Sequence, residues 1–178
     1  MLTRFVAFLR GINVGKRRVT NDRLRAVFDD LGYTNVTVLI ASGNVLFDAD
    51  QHDEAALTQT IEAALEQSLG FQVSVMLRSI PEIEAMLAAD PFAGIAVTKQ
   101  TRLYVTLLAE PTVSTLALPH GDEDASFRIL SRTDREVYSV LTVVEGSRTV
   151  DLMAMLEKEY GKSVTTRNWN TIQKAATS

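Results

Sequence analysis

Val36-Thr-Val-Leu-Ile-Ala-Ser-Gly-Asn-Val-Leu-Phe-Asp48 holds two β-rich runs, residues 36–41 and 44–48, broken by Ser42-Gly43. Small turn residues between two such runs signal a hairpin. Two strands then follow each other with no helix between them, so the flanking elements decide the fold. Upstream, Thr20 or Asn21 can cap a helix whose Leu24, Val27, Phe28 and Leu31 form one apolar stripe, and Gly32 stops it. Downstream, a helix over residues 54–69 carries Leu57, Ile61, Leu65 and Leu69 on its inner face and stops at Gly70. Before the first helix, Phe5, Ala7 and Leu9 alternate with Val6 and Phe8, both sets apolar, which predicts a strand covered on both faces. A further strand over 71–77 follows the second helix. The resulting order over 1–78 is βαββαβ, the ferredoxin-like split βαβ arrangement. It predicts an antiparallel four-stranded sheet, order 4-1-3-2, with both helices on one face.

The remainder repeats the theme in element order, not residue by residue. Ser79-Ile-Pro-Glu82 has capping-box spacing, so a helix should run to about residue 89 before Asp90-Pro91 ends it, making 79–100 a connector. A strand at 102–108, an apolar segment at 111–118 read as a short helix, and strands at 127–131 and 137–143 follow. A helix over 147–160, stopped by Gly161, has Leu152, Met153, Leu156 and Tyr160 inside. A short strand at 162–166 and a last helix from about residue 170 complete a second α+β subdomain, 101–178. The overall class is α+β.

Hydrophobic residues make up 46% and charged residues 22% of the 178, the balance of a chain that buries a core. No apolar run approaches the roughly 20 residues that cross a bilayer, and the charge-bounded start is too short for a signal peptide. A cytoplasmic protein with no membrane partner is the expectation. The absence of cysteine excludes disulfides, thiolate nucleophiles and sulfur-ligated metals. A net charge of −4 argues against wholesale wrapping by nucleic acid.

One stretch concentrates polar chemistry: Arg10-Gly-Ile-Asn-Val-Gly-Lys-Arg-Arg-Val-Thr20 sets two glycines and four cations between the first strand and the first helix. In a split βαβ sheet the first and second strands run parallel, so this loop and the hairpin leave the same edge. Arg10, Asn13 and Lys16 should then lie near Ser42 and Asn44, beside a helix N-terminus suited to an anion. A small phosphorylated or carboxylated ligand fits, bound or turned over. The bland account is that the glycines permit a tight connection and the asparagines satisfy turn backbone. A nucleotide P-loop does not fit, because Gly11 and Gly15 are one residue too close and Arg17 stands where a metal-binding hydroxyl belongs. The basic cluster at 16–25 offers the alternative, a module for nucleic acid or protein. A third reading makes these motifs folding determinants alone.

No cofactor or metal site is expected. His52 and His120 are isolated, and the carboxylates of His120-Gly-Asp-Glu-Asp124 read more simply as a solvated loop than as a cation site. Thr165-Thr-Arg-Asn-Trp-Asn-Thr171 surrounds the only tryptophan with polar residues. Trp169 would anchor the tail, with Asn170 capping the last helix and Gln173 closing its box. Arg167 and Asn168 are left over, and we expect them to join the first-half site in a shared cleft.

Three of these motifs, Leu9-Arg-Gly-Ile-Asn-Val-Gly15, Ala41-Ser-Gly-Asn-Val-Leu-Phe47 and Thr165-Thr-Arg-Asn-Trp-Asn-Thr171, stand in an order that resembles the bacterial domain-of-unknown-function family 1697. That family's first motif usually ends Gly-Gly, whereas Lys16 follows Gly15 here. The resemblance implies a small α+β protein and carries no established activity, so no catalytic residue is transferred.

Overall fold

The computed structural model describes residues 1–39, 43–121, 126–145 and 151–178. It divides into two compact units, Met1–Glu84 with Ala175–Ser178, and Ala85–Lys174.

In the first unit β1 (Thr3–Arg10), α1 (Asn21–Asp30), β2 (Thr34–Leu39), β3 (Asn44–Ala49), α2 (Glu54–Leu69) and β4 (Ser74–Ser79) follow in sequence. The sheet order is β2-β3-β1-β4, the expected 4-1-3-2 read from the other edge, and every pair is antiparallel. Register explains the two-sided burial of β1. Phe5 pairs with Phe47 and Ala7 with Val45 and Leu77, and these join Leu24, Val27 and Phe28 of α1 and Leu57, Ile61 and Leu65 of α2 in one core. Both helices therefore cover the same face. Phe47 stacks on Tyr33 at 4.7 Å and meets Phe28 at 5.2 Å, and burial pushes the Tyr33 phenol up. On the opposite face Val6, Phe8, Leu46 and Met76 are equally buried, together with Asn44 and Arg78.

Thr20 caps α1, accepting from the Arg23 N–H, and Gly70 ends α2 in the left-handed region at φ 78°. The outer strand β2 carries a register shift between Thr34 and Thr37. At the other edge, Glu62 of α2 accepts the Val75 N–H at 2.8 Å. Arg4 donates to Asp48 at 2.8 Å, and Asn35 donates to the other Asp48 oxygen at 2.6 Å.

The division between units falls within α3 (Ile80–Ala88), which opens with the expected capping box: the Ser79 N–H and hydroxyl both reach the Glu82 carboxylate, at 2.7 and 2.8 Å.

The second unit holds β5 (Thr101–Leu108), β6 (Phe127–Arg132), β7 (Glu136–Thr142), α4 (Leu152–Tyr160) and β8 (Val164–Asn168), and α5 (Trp169–Ala176) closes the chain. Its sheet order, β6-β7-β5-β8, matches that of the first. Three expectations are corrected. The segment 111–118 forms no helix; it is an extended strap ending at the cis Leu118–Pro119 bond. β8 starts two residues later than read, at Val164. α5 starts at Trp169, which places Asn170 inside the helix instead of at its cap. The expected start of the preceding helix, residue 147, lies outside the described residues, and Asp151 caps α4 by accepting from the Ala154 N–H at 3.0 Å. Trp169 is buried edge-on against Phe92 and Tyr138, the anchor its neighbourhood implied.

Candidate functional site

β1 delivers the chain into a loop in which every second residue has positive φ: Gly11 at 84°, Asn13 at 52° and Gly15 at 59°. Asparagine tolerates this region because its side chain can bond nearby backbone, and Asn13 Oδ1 accepts the Val19 N–H at 2.8 Å. The loop meets the hairpin directly. The Leu9 N–H donates to the Gly43 carbonyl at 2.8 Å, and Ile12 lies so close over Gly43 that a Cβ there would stand 2.3 Å from Ile12 Cδ1. Asn44 is fully buried and its Nδ2 donates to the Leu39 carbonyl at 3.3 Å, tying β3 to the end of β2. Asn13 and Asn44 thus have the backbone duties that the bland account assigns them. Lys16 is exposed, and Arg10 stands half-buried opposite Ser74. Ser42 lies outside the described residues.

The basic cluster is largely occupied with its own fold. Arg17 covers the Phe71 ring at 4.3 Å and donates to the Gly11 carbonyl at 3.1 Å. Arg18 donates to the Gly15 carbonyl at 2.9 Å, and Arg23 to the Ser68 carbonyl in the last turn of α2. In a planar trans peptide the carbonyl and the following N–H point opposite ways. The arginines therefore draw the carbonyls of Gly11 and Gly15 to themselves and turn the N–H groups of Ile12 and Lys16 to the other side. Among the described residues Lys16, Arg17 and Arg18 have no carboxylate within ion-pair distance, so the charge of these three is not neutralised by an ion pair.

Arg167 and Asn168 belong to β8 in the second unit. Arg167 donates to Thr165 Oγ1 at 2.7 Å and to the Thr166 carbonyl at 3.0 Å, and burial lowers its guanidinium to about 10, still protonated at neutral pH. Asn168 is exposed, opposite Tyr104.

Several buried polar groups lie outside the sites read from the sequence. Arg78 is fully buried on β4 opposite Val6, its Nη1 donating to the Leu77 carbonyl at 2.7 Å. Arg132, Ser139 and Tyr160 each bury a polar atom without a partner. For Ser139 a signal was present: it alternates with Val137 and Leu141, so a hydroxyl takes a core-facing position. Among the described residues no group of three His, Cys, Asp or Glu side chains could hold a metal ion, and residues 122–124 of the acidic loop lie outside that set.

Two antiparallel four-stranded sheets with helices make this an α+β protein, ferredoxin-like in the strand order of each half. The chain belongs to the family described as protein of unknown function (DUF1697), whose pattern matches residues 2–138. No curated protein matches it. A solved structure with the same fold is that of the conserved bacterial protein SP0830 from Streptococcus pneumoniae. It is 23% identical, with a TM-score of 0.76, covering 99% of this chain and 98% of that one. No helix of the described residues is long and apolar enough to cross a membrane.

Proposed function

We propose that the first unit binds a small phosphorylated or carboxylated ligand at the 10–16 loop, with the hairpin beside it. The observation that carries this reading is the orientation of the loop backbone. Arg17 and Arg18 hold the Gly11 and Gly15 carbonyls, which turns the following N–H groups the other way, and the exposed Lys16 beside them has no carboxylate within ion-pair distance among the described residues. Backbone of alternating handedness gathers N–H groups into a concavity suited to anions, and Lys16 would add a charge-assisted bond. Asn13 and Gly43 shape the loop without touching the ligand.

A thermal-shift panel of inorganic phosphate, nucleoside monophosphates, sugar phosphates and citrate tests this, because a ligand that binds only the native state raises its apparent stability. At least one member should shift the midpoint saturably. Lys16→Ala should then weaken that ligand roughly tenfold, the worth of about 1.4 kcal/mol. Silence across the panel, or an unaltered affinity in Lys16→Ala, overturns the reading.

A further inference from the structure

We infer that the second unit encloses a site for a small monocarboxylate, in the layer between its sheet and α4. The buried polar side-chain atoms without a hydrogen-bond partner among the described residues are Arg132 Nη1, Ser139 Oγ and Tyr160 OH, and all three lie in this layer. Tyr160 packs in one apolar cluster with Leu108, Ile129, Val137 and Val164. Ser139 sits opposite Ile129, and Arg132 opposite Val137. Residues two apart on a strand share a face, so Ser139 and Arg132 are diagonal neighbours, about 7–8 Å apart at Cα and within reach of an arginine side chain. Beside them on the same face the hydroxyls of Thr106 and Thr166 meet at 2.8 Å.

The donor set defines the ligand. A guanidinium only donates, and both hydroxyls can. No carboxylate lies within ion-pair distance of Arg132 among the described residues, and although the residue is half-buried its Nη1 is shut off from solvent, so that end of the guanidinium lacks both water and a counter-charge. One cation is balanced by one negative charge. A carboxylate supplies that charge with two acceptor oxygens for the three idle donors, whereas a phosphate dianion would bury an excess.

The cover is the strap. Arg132 Nη2 donates to the Ser114 carbonyl, and the Ser114 hydroxyl donates to Glu159 in the last, exposed turn of α4. One residue thus ties the strap to both walls of the layer.

The experiment titrates the full chain with acetate, lactate and benzoate at constant ionic strength, following the thermal midpoint against a matched chloride control. At least one should raise the midpoint saturably. Arg132→Met and Tyr160→Phe should abolish that shift while Lys16→Ala preserves it, which separates this site from the first-unit loop. Should Arg132→Met fail to fold, Ser139→Ala removes a single hydroxyl and should raise the half-saturating concentration by roughly threefold or more. Absence of any saturable shift, a shift that survives these variants, or a larger one with phosphate in the Lys16→Ala background overturns the inference.

Discussion

The two units share one strand order, β2-β3-β1-β4 and β6-β7-β5-β8, yet cover their sheets differently. The first lays helices of 10 and 16 residues over one face; the second uses a helix of 9 residues and an extended strap. The local sequences account for it. Residues 20–32 supply a capping threonine, an apolar stripe and a glycine stop. Residues 111–119 run from one proline to another through three β-branched residues, with Leu116 and Leu118 alternating as an extended chain requires. A helix satisfies its own backbone, whereas a strap must borrow partners. Ala109 and Thr112 donate to the carbonyls of Ser163 and Asp134, and the Ser114 carbonyl takes an Arg132 N–H. Strand order is thus a long-range property, while the choice of cover is local and decides how polar the enclosed layer becomes.

The two units should differ most in their cores. Phe28→Ala, on the buried face of α1, should cost about 4 kcal/mol, while Leu116→Ala in the strap should cost about 1 kcal/mol. Urea unfolding measures both, and equal losses would mean that the strap packs as well as a helix does. A middle-sized effect concerns glycines at positive φ in each unit. Gly43→Ala meets the Ile12 side chain, and Gly121→Ala the Phe127 carbonyl at 2.7 Å. Each should lose about 2 kcal/mol. Trimming Ile12 to Ala in the same chain should recover part of the first loss, while the second clash is with a backbone carbonyl that no substitution trims. Denaturation midpoints of the single and double variants decide it.

The smallest effect is electrostatic and confined to the first unit. Burial alone would raise the Asp48 carboxyl, but hydrogen bonds from Asn35 and Arg4, with the Arg4 charge, hold it below the usual carboxylate range. A depressed folded value means that its contribution is complete above the unfolded value, about 3.9, and is lost as pH falls through the folded one. Asp48→Asn should therefore lie below the wild type by at most about 1 kcal/mol near neutrality. The gap should close below about pH 4. A gap that persists in acid would assign the loss to packing.

The first half was legible because its signals agree: alternation in β1, stripes at 24–31 and 57–69, glycine stops, and a hairpin between the helices. The strap was misread because a short apolar run does not declare its period, and its prolines carried the better clue. β8 and α5 slipped by one or two residues where polar side chains mask both periods. At the loop, the sequence singled out Arg10, Asn13, Lys16 and Asn44 and offered backbone satisfaction as one account of the two asparagines, without the hydrogen bonds that would decide for it. Arg78 and Arg132 were invisible because a charged side chain looks solvated until its neighbours are known, whereas Tyr160 was legible as an inner residue of its helix but not as a hydroxyl without a partner.

The outer margins of both sheets bear on behaviour in a crowded solution. A flat, unpaired strand edge recruits another chain by extending the ladder, the first step toward fibrous aggregates. The register shift in β2 bends one such margin out of line, and β6 has its own between Ile129 and Ser131. His120 already exchanges both backbone hydrogen bonds with Ile129 of β6, and Glu62 occupies the Val75 N–H on β4. An incoming strand would have to displace a carboxylate, evict a paired residue or follow a kink. Glu62→Leu, which frees one donor on β4, is thus the substitution expected to turn a guarded edge into a nucleus for self-association.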